Sequence, residues 1–90
     1  MDKIIITVVG KDTLGIIARV TTYLYQNNIN ILDISQTILD DMFNMMVIAD
    51  MQNCKKEFGL VSDELQALGV EIGLRVLTQT EEIFTKMHRI

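Results

Sequence analysis

The loop after the first run of β-branched residues combines residue types that could bind a small anion. The strand-forming run stops at Gly10, and an apolar pattern typical of a helix begins by Leu14. A second glycine, Gly15, falls in the predicted first turn of that helix, where glycine costs about 0.8–1 kcal/mol relative to alanine. Its presence indicates a sharp turn or the close approach of another group. Unpaired backbone amides at the start of this helix could hold a carboxylate or another small anion.

Two other interpretations of this loop have to be compared with anion binding. Glycines at a strand-to-helix junction also occur for geometric reasons alone, and the sequence does not favour one reason over the other. The spacing of Gly10 and Gly15 also matches the first half of a phosphate-binding P-loop. That motif requires a lysine and a serine or threonine after the second glycine, where this chain has Ile16 and Ile17. A nucleotide P-loop is therefore excluded.

Composition indicates a single domain that associates with other copies. The 90 residues are 49% apolar, and we expect one domain spanning residues 1–90. A domain of this size buries only a little over ~60% of its unfolded surface. Some of the apolar surface is therefore predicted to lie between subunits, in a dimer or a larger homo-oligomer. The net charge of −4 argues against a nucleic-acid partner, for which a basic face would be expected.

The chemistry-bearing residues favour a cytoplasmic protein that is not an enzyme. Cys54 is the only cysteine, so an intrachain disulfide or a cysteine metal cluster is impossible and the compartment is predicted to be reducing. No targeting signal is recognisable, and no apolar run approaches the ~20 residues that a membrane span needs. The single histidine, His88, lies on a segment distant from Cys54. Without a nucleophile, base or metal-ligand set, we expect no catalysis, no metal and no cofactor.

Hydrophobic periodicity divides the chain into seven elements. The pattern predicts a strand over 3–9, a helix capped by Asp12 or Thr13 and ending near 26, strands over 30–39 and 42–51, a helix over 54–68, a strand over 70–76 and a short helix capped by Thr80. The first strand is apolar on both faces, which is typical of a central strand. Asp40 and Asp41 separate the second and third strands by a tight turn, so these two strands form a hairpin.

The same periodicity predicts which residues face the core. Ile17, Val20 and Leu24 form the predicted inner stripe of the first helix, and left-handed backbone at Asn27 or Asn28 ends that helix. In the second strand, the apolar positions fall on alternate residues, as expected of a strand. These positions are Leu32, Ile34 and Ile38. Apolar residues in the last segment form one edge of a helix that we expect to pack against the body or a neighbouring subunit; they are Ile83, Phe84, Met87 and Ile90.

Two boundaries near the end of the chain follow from a glycine and an alternating pattern. Gly69 is predicted to end the second helix, in the left-handed conformation that glycine adopts readily. Val70 then begins an alternation of apolar and polar residues that continues to Val76, which is typical of a half-buried strand.

The element order β-α-β-β-α-β predicts the α+β class with the ferredoxin-like fold. In this fold two helices cover one face of a four-stranded antiparallel sheet, and here a short C-terminal helix follows. Many unrelated functions use the fold, so function has to be argued from residues. RNA-recognition domains stack bases on aromatic residues of the sheet, but the central strands offer only Phe43. Metal chaperones of this shape need paired cysteines, which this chain lacks.

Several short motifs resemble the ACT domain family over essentially the whole chain. Ile-Thr-Val-Val-Gly-Lys-Asp is followed by Gly15 three residues after Asp12, and Asn30-Ile31 enters the second strand. Asp-Ile-Ser-Gln-Thr over 33–37 and a pair of methionines over 45–46 complete the pattern. The chain most resembles small stand-alone ACT proteins, which are similar to one half of the glycine cleavage system transcriptional repressor.

The resemblance implies a regulatory module that binds an amino acid or a similar small metabolite. The ligand would lie where the loop after the first strand of one subunit meets the second strand of a partner subunit, and the regulated protein would be a separate chain. The ligand-binding positions that the resemblance implies are Gly10, Asp12, Thr13, Leu14, Gly15, Ile16, Asn30 and Ile31. The alternative is a structural or adaptor dimer that has no ligand site.

The chemistry of these positions suits a zwitterion. Backbone amides near Gly15 and Ile16 could hold a carboxylate, and Asp12 could hold an ammonium group. The side-chain amide of Asn30 could serve either end of the ligand, because it both donates and accepts hydrogen bonds. Asp12 could instead be only a helix cap, and Asn30 could simply start a strand.

Overall fold

The structure, a computed structural model of the chain, describes residues 2–11 and 15–87. The elements in chain order are β1 Lys3–Lys11, α1 Ile16–Gln26, β2 Asn30–Leu39, β3 Met42–Asp50, α2 Phe58–Glu71, β4 Arg75–Thr80 and α3 Glu81–Met87. The strands form one antiparallel sheet in the order β2-β3-β1-β4, which confirms the predicted ferredoxin-like class. No helix in the described residues is long and apolar enough to cross a membrane.

β1 lies in the middle of the sheet, as its two apolar faces predict. It pairs with β3 on one side and with β4 on the other. One face packs under α1 and α2, whose apolar stripes complete the core. The largest fully buried side chains of this core are Ile4, Ile6, Val8, Val20, Leu24, Met45, Val47, Val61 and Leu65.

The β2–β3 hairpin contains a bulge that the alternation pattern does not reveal. Asp40, at φ 57°, forms part of the two-residue turn that sets Leu39 opposite Met42. The register then shifts between Ile31 and Asp33. We expected Leu32 to share a face with the other apolar residues of β2, but the bulge places Ile31 there instead. β2 is almost wholly exposed because it is an edge strand of the sheet.

α1 begins at Ile16, two or three residues later than a cap at Asp12 or Thr13 predicts. Gly15 is the N-cap, at φ 84° in the left-handed region, so it precedes the helix instead of lying in its first turn. No described side chain caps this end, and the predicted caps Asp12 and Thr13 lie outside the described residues. The later start turns Ile16 into the core and leaves Ile17 39% exposed. At the other end Asn28 is left-handed, as predicted.

α2 continues past the glycine that was predicted to end it. The helix runs to Glu71, so Val70 is helical and 73% exposed. Gly69 lies against β4, where an added Cβ would be 2.6 Å from Cγ2 of Val76. This glycine therefore permits close helix–strand packing. The left-handed turn falls instead at Gly73, φ 77°, and β4 begins after it.

α3 is capped as predicted and packs on the sheet face opposite the core. The Thr80 hydroxyl accepts a hydrogen bond from the backbone N–H of Ile83 at 3.2 Å. The side-chain amide of Gln79 contacts the Met87 sulfur at 3.0 Å. Gln79 pairs with Ile5, which points away from the core cluster and yet is only 5% exposed. α3 therefore covers part of the open sheet face.

Candidate functional site

The predicted loop positions lie at one end of the sheet. β1 ends at Lys11 and α1 begins at Ile16, so Gly10, Gly15 and Ile16 share this end of the molecule. Asp12, Thr13 and Leu14, the remaining predicted loop residues, lie outside the described residues.

Gly10 has a packing reason to be glycine. It pairs with Phe43 in the sheet, and an added Cβ would run into Cδ2 of Leu74 and lie 3.4 Å from the Leu74 Cα. A side chain at this position would therefore displace at least the side chain of Leu74. Gly10 can offer a ligand only its backbone.

Gly15 and the start of α1 leave donors and open space side by side. The first helical hydrogen bond runs from the Arg19 N–H to the Gly15 carbonyl at 2.9 Å. The preceding amides, those of Ile16, Ile17 and Ala18, have no acceptor within the helix. An added Cβ at Gly15 would meet no described atom within 4 Å. Ile16 is only 3% exposed and its side chain packs in the core, so only its backbone amide could face a ligand here.

The strand-entry positions lie at the opposite end of the sheet. Asn30 pairs with Asp50 and Ile31 with Ala49, whereas Gly10 pairs with Phe43. Asp50 and Phe43 are seven residues apart on β3, a distance of about 23 Å at ~3.3 Å per residue. One copy of the chain therefore separates the two groups of predicted ligand residues.

Asn30 lines a polar cleft that the sequence analysis did not identify. The cleft has a volume of about 470 Å³ and is also lined by Tyr25, Asn28, Asp50 and Gln52. Asp50 accepts a hydrogen bond from the backbone N–H of Gln52 at 2.9 Å, which orients its carboxylate. The predicted hairpin turn would place Met51 opposite Asn30, and the β2 bulge shifts Asp50 into that position.

A second cleft, of about 530 Å³, opens at this same end, where β1 begins. Its lysines are already engaged: Lys3 lies 3.7 Å from Glu81, and Lys56 lies 2.7 Å from Glu64. This cleft was not predictable from the sequence, because it combines the start of β1 and the ends of β3 and β4 with the start of α2. Four acidic residues line the cleft, namely Asp2, Glu57, Glu81 and Glu82, so with its two lysines paired it does not suit an anionic ligand.

A hydrogen-bonded cluster joins α1 to α2. The Tyr23 hydroxyl donates to Oε1 of Glu64 at 2.8 Å, and Nζ of Lys56 donates to the same oxygen at 2.7 Å. Burial, followed by the bond to Glu64, raises the pKa of Tyr23 well above its usual range. The Lys56 hydrogen bond, followed by that of Tyr23, lowers the pKa of Glu64. Because these three groups satisfy one another, we assign the cluster a structural role.

No metal site is formed by the part of the chain that the structure describes. There, no group of three or more histidine, cysteine, aspartate or glutamate side chains is positioned to hold a metal ion.

Comparison with known proteins identifies relatives that match along nearly the whole chain. A model of the ACT domain family matches residues 2–79. A UPF0237 protein of Bifidobacterium longum is 63% identical over 90 residues, which is 100% of both chains. An ACT domain protein from Streptococcus pneumoniae is 40% identical and superposes with a TM-score of 0.81, covering 92% of this chain and 93% of that chain. A putative glycine cleavage system transcriptional repressor shares the fold, with a TM-score of 0.74 at 24% identity over 88% of this chain and 45% of that chain.

Proposed function

Because the chain belongs to the ACT domain family, we propose that it is a regulatory module that binds an amino acid or a similar small metabolite between two copies of itself. The ligand state is then passed to a separate partner protein. The observation that carries this proposal is the separation of the Gly15 and Asn30 ends within one copy, about 23 Å along the strands. The ammonium and carboxylate of an α-amino acid are bonded to one carbon, so a single ligand cannot reach both ends. A second copy has to supply one of them.

The edge strand β2 is the surface that we propose for joining the two copies. Its outer edge has no partner strand in the described residues, and it is ten residues long. Its exposed apolar side chains are Leu32, Ile34, Ile38 and Leu39, each 38–73% accessible. A long edge strand with apolar side chains is a ready template for pairing with another strand.

Two-fold pairing of β2 would complete the ligand site. In an antiparallel pair of identical strands, the first residues of one strand lie beside the last residues of the other. Asn30 of one copy would therefore approach Leu39 of the other. Leu39 pairs with Met42, and Met42 pairs with Lys11 at the end of β1. The Asn30 end of one copy would thus approach the Gly15 end of the other.

The open sheet face is a less suitable dimer interface. α3 already lies over part of it and buries Ile5, whereas the β2 edge has no such cover in the described residues.

In the ligand site formed by the β2 pairing, the amides at the start of α1 would bind the carboxylate. Asp12 would bind the ammonium group, and the Asn30 amide would hold either end. The proposal assigns the chain no reaction of its own and places it in the cytoplasm.

Light scattering after size exclusion tests the dimer. We expect a mass twice the 10.2 kDa of one chain. Ile38→Lys should weaken the dimer, because it adds a charge to an apolar edge, whereas Leu60→Lys should not. Leu60 is a matched control because it is 48% exposed on α2, against 54% for Ile38. A wild-type monomer at micromolar concentration would contradict the proposal.

A thermal-shift screen over the common amino acids tests ligand binding. A ligand at ~100 times its dissociation constant should add about 2.7 kcal/mol of stability. Asn30→Ala should remove most of this gain, and Asn44→Ala, which changes another exposed strand asparagine, should keep it. A dimer that responds to no amino acid would favour the alternative, a structural or adaptor dimer without a ligand site.

A further inference from the structure

The other edge of the sheet forms a groove with α2. β4 is this edge strand, and a groove of about 260 Å³ runs between it and the helix. One wall is a single stripe of α2 formed by Ser62, Gln66 and Val70, which recur every four residues and therefore share a helix face. The other wall is β4 itself. No strand pairs with its outer side in the described residues.

The lining of this groove combines exposed apolar side chains with an unsatisfied hydroxyl. Val70, on the α2 wall, is 73% exposed. Leu77 of β4 is 56% exposed, and because it alternates with the buried Val76 and Thr78, its side chain lies on the sheet face opposite α2. Thr78 lines the same groove, and its buried hydroxyl has no hydrogen-bond partner in the described structure. A buried polar atom without a partner is uncommon in a native protein. Together with the unpaired edge, these features are those of a surface that receives an extended chain.

The charge of the groove differs in sign from that of the protein. Arg75, at the start of β4, is exposed and forms no salt bridge with any described residue. No acidic residue lines the groove, although the whole chain carries a net charge of −4. A partner segment with an acidic side chain would match this local cation, and a basic segment would not.

We propose that the groove binds an extended segment of a partner protein, which pairs with β4 and sets an acidic side chain against Arg75. Main-chain hydrogen bonds to the edge of β4 would supply affinity, and alternate side chains of the segment would enter the groove and pack on the α2 stripe. Because the proposed dimer uses β2, both copies keep β4 available. The groove therefore gives the regulatory module a docking surface separate from its proposed ligand site.

Selection from a random peptide library displayed on phage tests the docking surface. The full chain is the target, without any amino acid ligand, so the outcome is independent of ligand binding. Selected peptides should alternate apolar and polar residues and contain an acidic residue. Once synthesised, they should shift the NMR amide signals of β4. Arg75→Glu should weaken the synthetic peptides about tenfold or more, whereas Lys55→Glu should not. Lys55 is the matched control, an exposed cation that does not line the groove.

Five outcomes would overturn the proposal. The selection could return no peptide, or peptides without acidic residues. Binding could be equally strong in Arg75→Glu and the wild type. The shifted amides could belong to β2 instead of β4, or β4 could prove to be buried against a second copy of the chain.

Discussion

Replacing Gly15 by alanine tests the left-handed turn that begins α1. At φ 84°, an alanine costs about 1–2 kcal/mol more than a glycine. Alanine also restricts the unfolded chain, which returns about 0.4–1 kcal/mol. The added methyl group would meet no described atom within 4 Å, so no steric term has to be included. The net expectation is a loss of about 1 kcal/mol in the free energy of unfolding.

Gly15→Asn is the matched control, because asparagine tolerates the left-handed region better than alanine despite its larger side chain. For a domain of this size, 1 kcal/mol corresponds to a fall in Tm of about 4–8 °C. Thermal and urea unfolding of the wild type and both variants measure the effect. The order of stability should be wild type, then asparagine, then alanine. An alanine variant as stable as the wild type, or less affected than the asparagine variant, would refute the backbone assigned to Gly15.

Four further substitutions test packing and charge away from the ligand site. Thr78→Val should raise the free energy of unfolding by about 1 kcal/mol in urea titrations, because it removes a buried hydroxyl without a partner; a loss would mean that the hydroxyl is bonded. Gly69→Ala should lower the free energy of unfolding. Its added Cβ would lie 3.0 Å from the backbone oxygen of Leu74, just before β4, and 2.6 Å from Cγ2 of Val76. Gly59→Ala is the control: its added Cβ would meet open space, so it should raise the free energy of unfolding by about 0.4–1 kcal/mol. Equal effects of the two glycine substitutions would contradict the close packing of Gly69 against β4. The folded-state pKa of Glu64 lies below its ordinary 4.5. The ionised Glu64 therefore stabilises the folded protein above pH 4.5, and this stabilisation is lost as the pH falls through the lower folded-state pKa. In urea titrations, the difference in the free energy of unfolding between the wild type and Glu64→Gln should shrink in acid. A difference that grows in acid would contradict the lowered pKa.

The order of elements was predictable because each carries a strong local pattern. β1 is apolar on both faces, so its central position follows from burial alone. The end of α2 and the register of β2 were not predictable, since both depend on tertiary contacts. Gly69 has the same local pattern whether it ends a helix or packs against a strand. The bulge next to Leu32 is a shift in how β2 pairs with β3, and the pattern of β2 alone does not contain that information.

The candidate site was predictable as two groups of residues but not as an arrangement. The sequence indicates a glycine turn at Gly15 and a strand entry at Asn30. Their separation within one copy follows only from the strand register, which sets Asn30 against Asp50. Arg75 and Thr78 gave no local signal, because an unpaired cation and an unsatisfied hydroxyl become visible only once their neighbours are known.

Mixing two defective copies tests the central claim that each ligand site uses the Gly15 end of one copy and the Asn30 end of another. Gly15→Asn, which fills the space beside the turn, and Asn30→Ala should each abolish binding in their own homodimers. In a mixed dimer, one site carries both defects and the other carries neither.

The decisive measurement is a calorimetric titration of the two variants, alone and after mixing and exchange, with the amino acid that gives the largest thermal shift. A shared site predicts no binding by either variant alone and recovery of about a quarter of the wild-type sites in an equimolar, randomly exchanged mixture. If the mixture of exchanged dimers binds no ligand, the site does not lie between two copies.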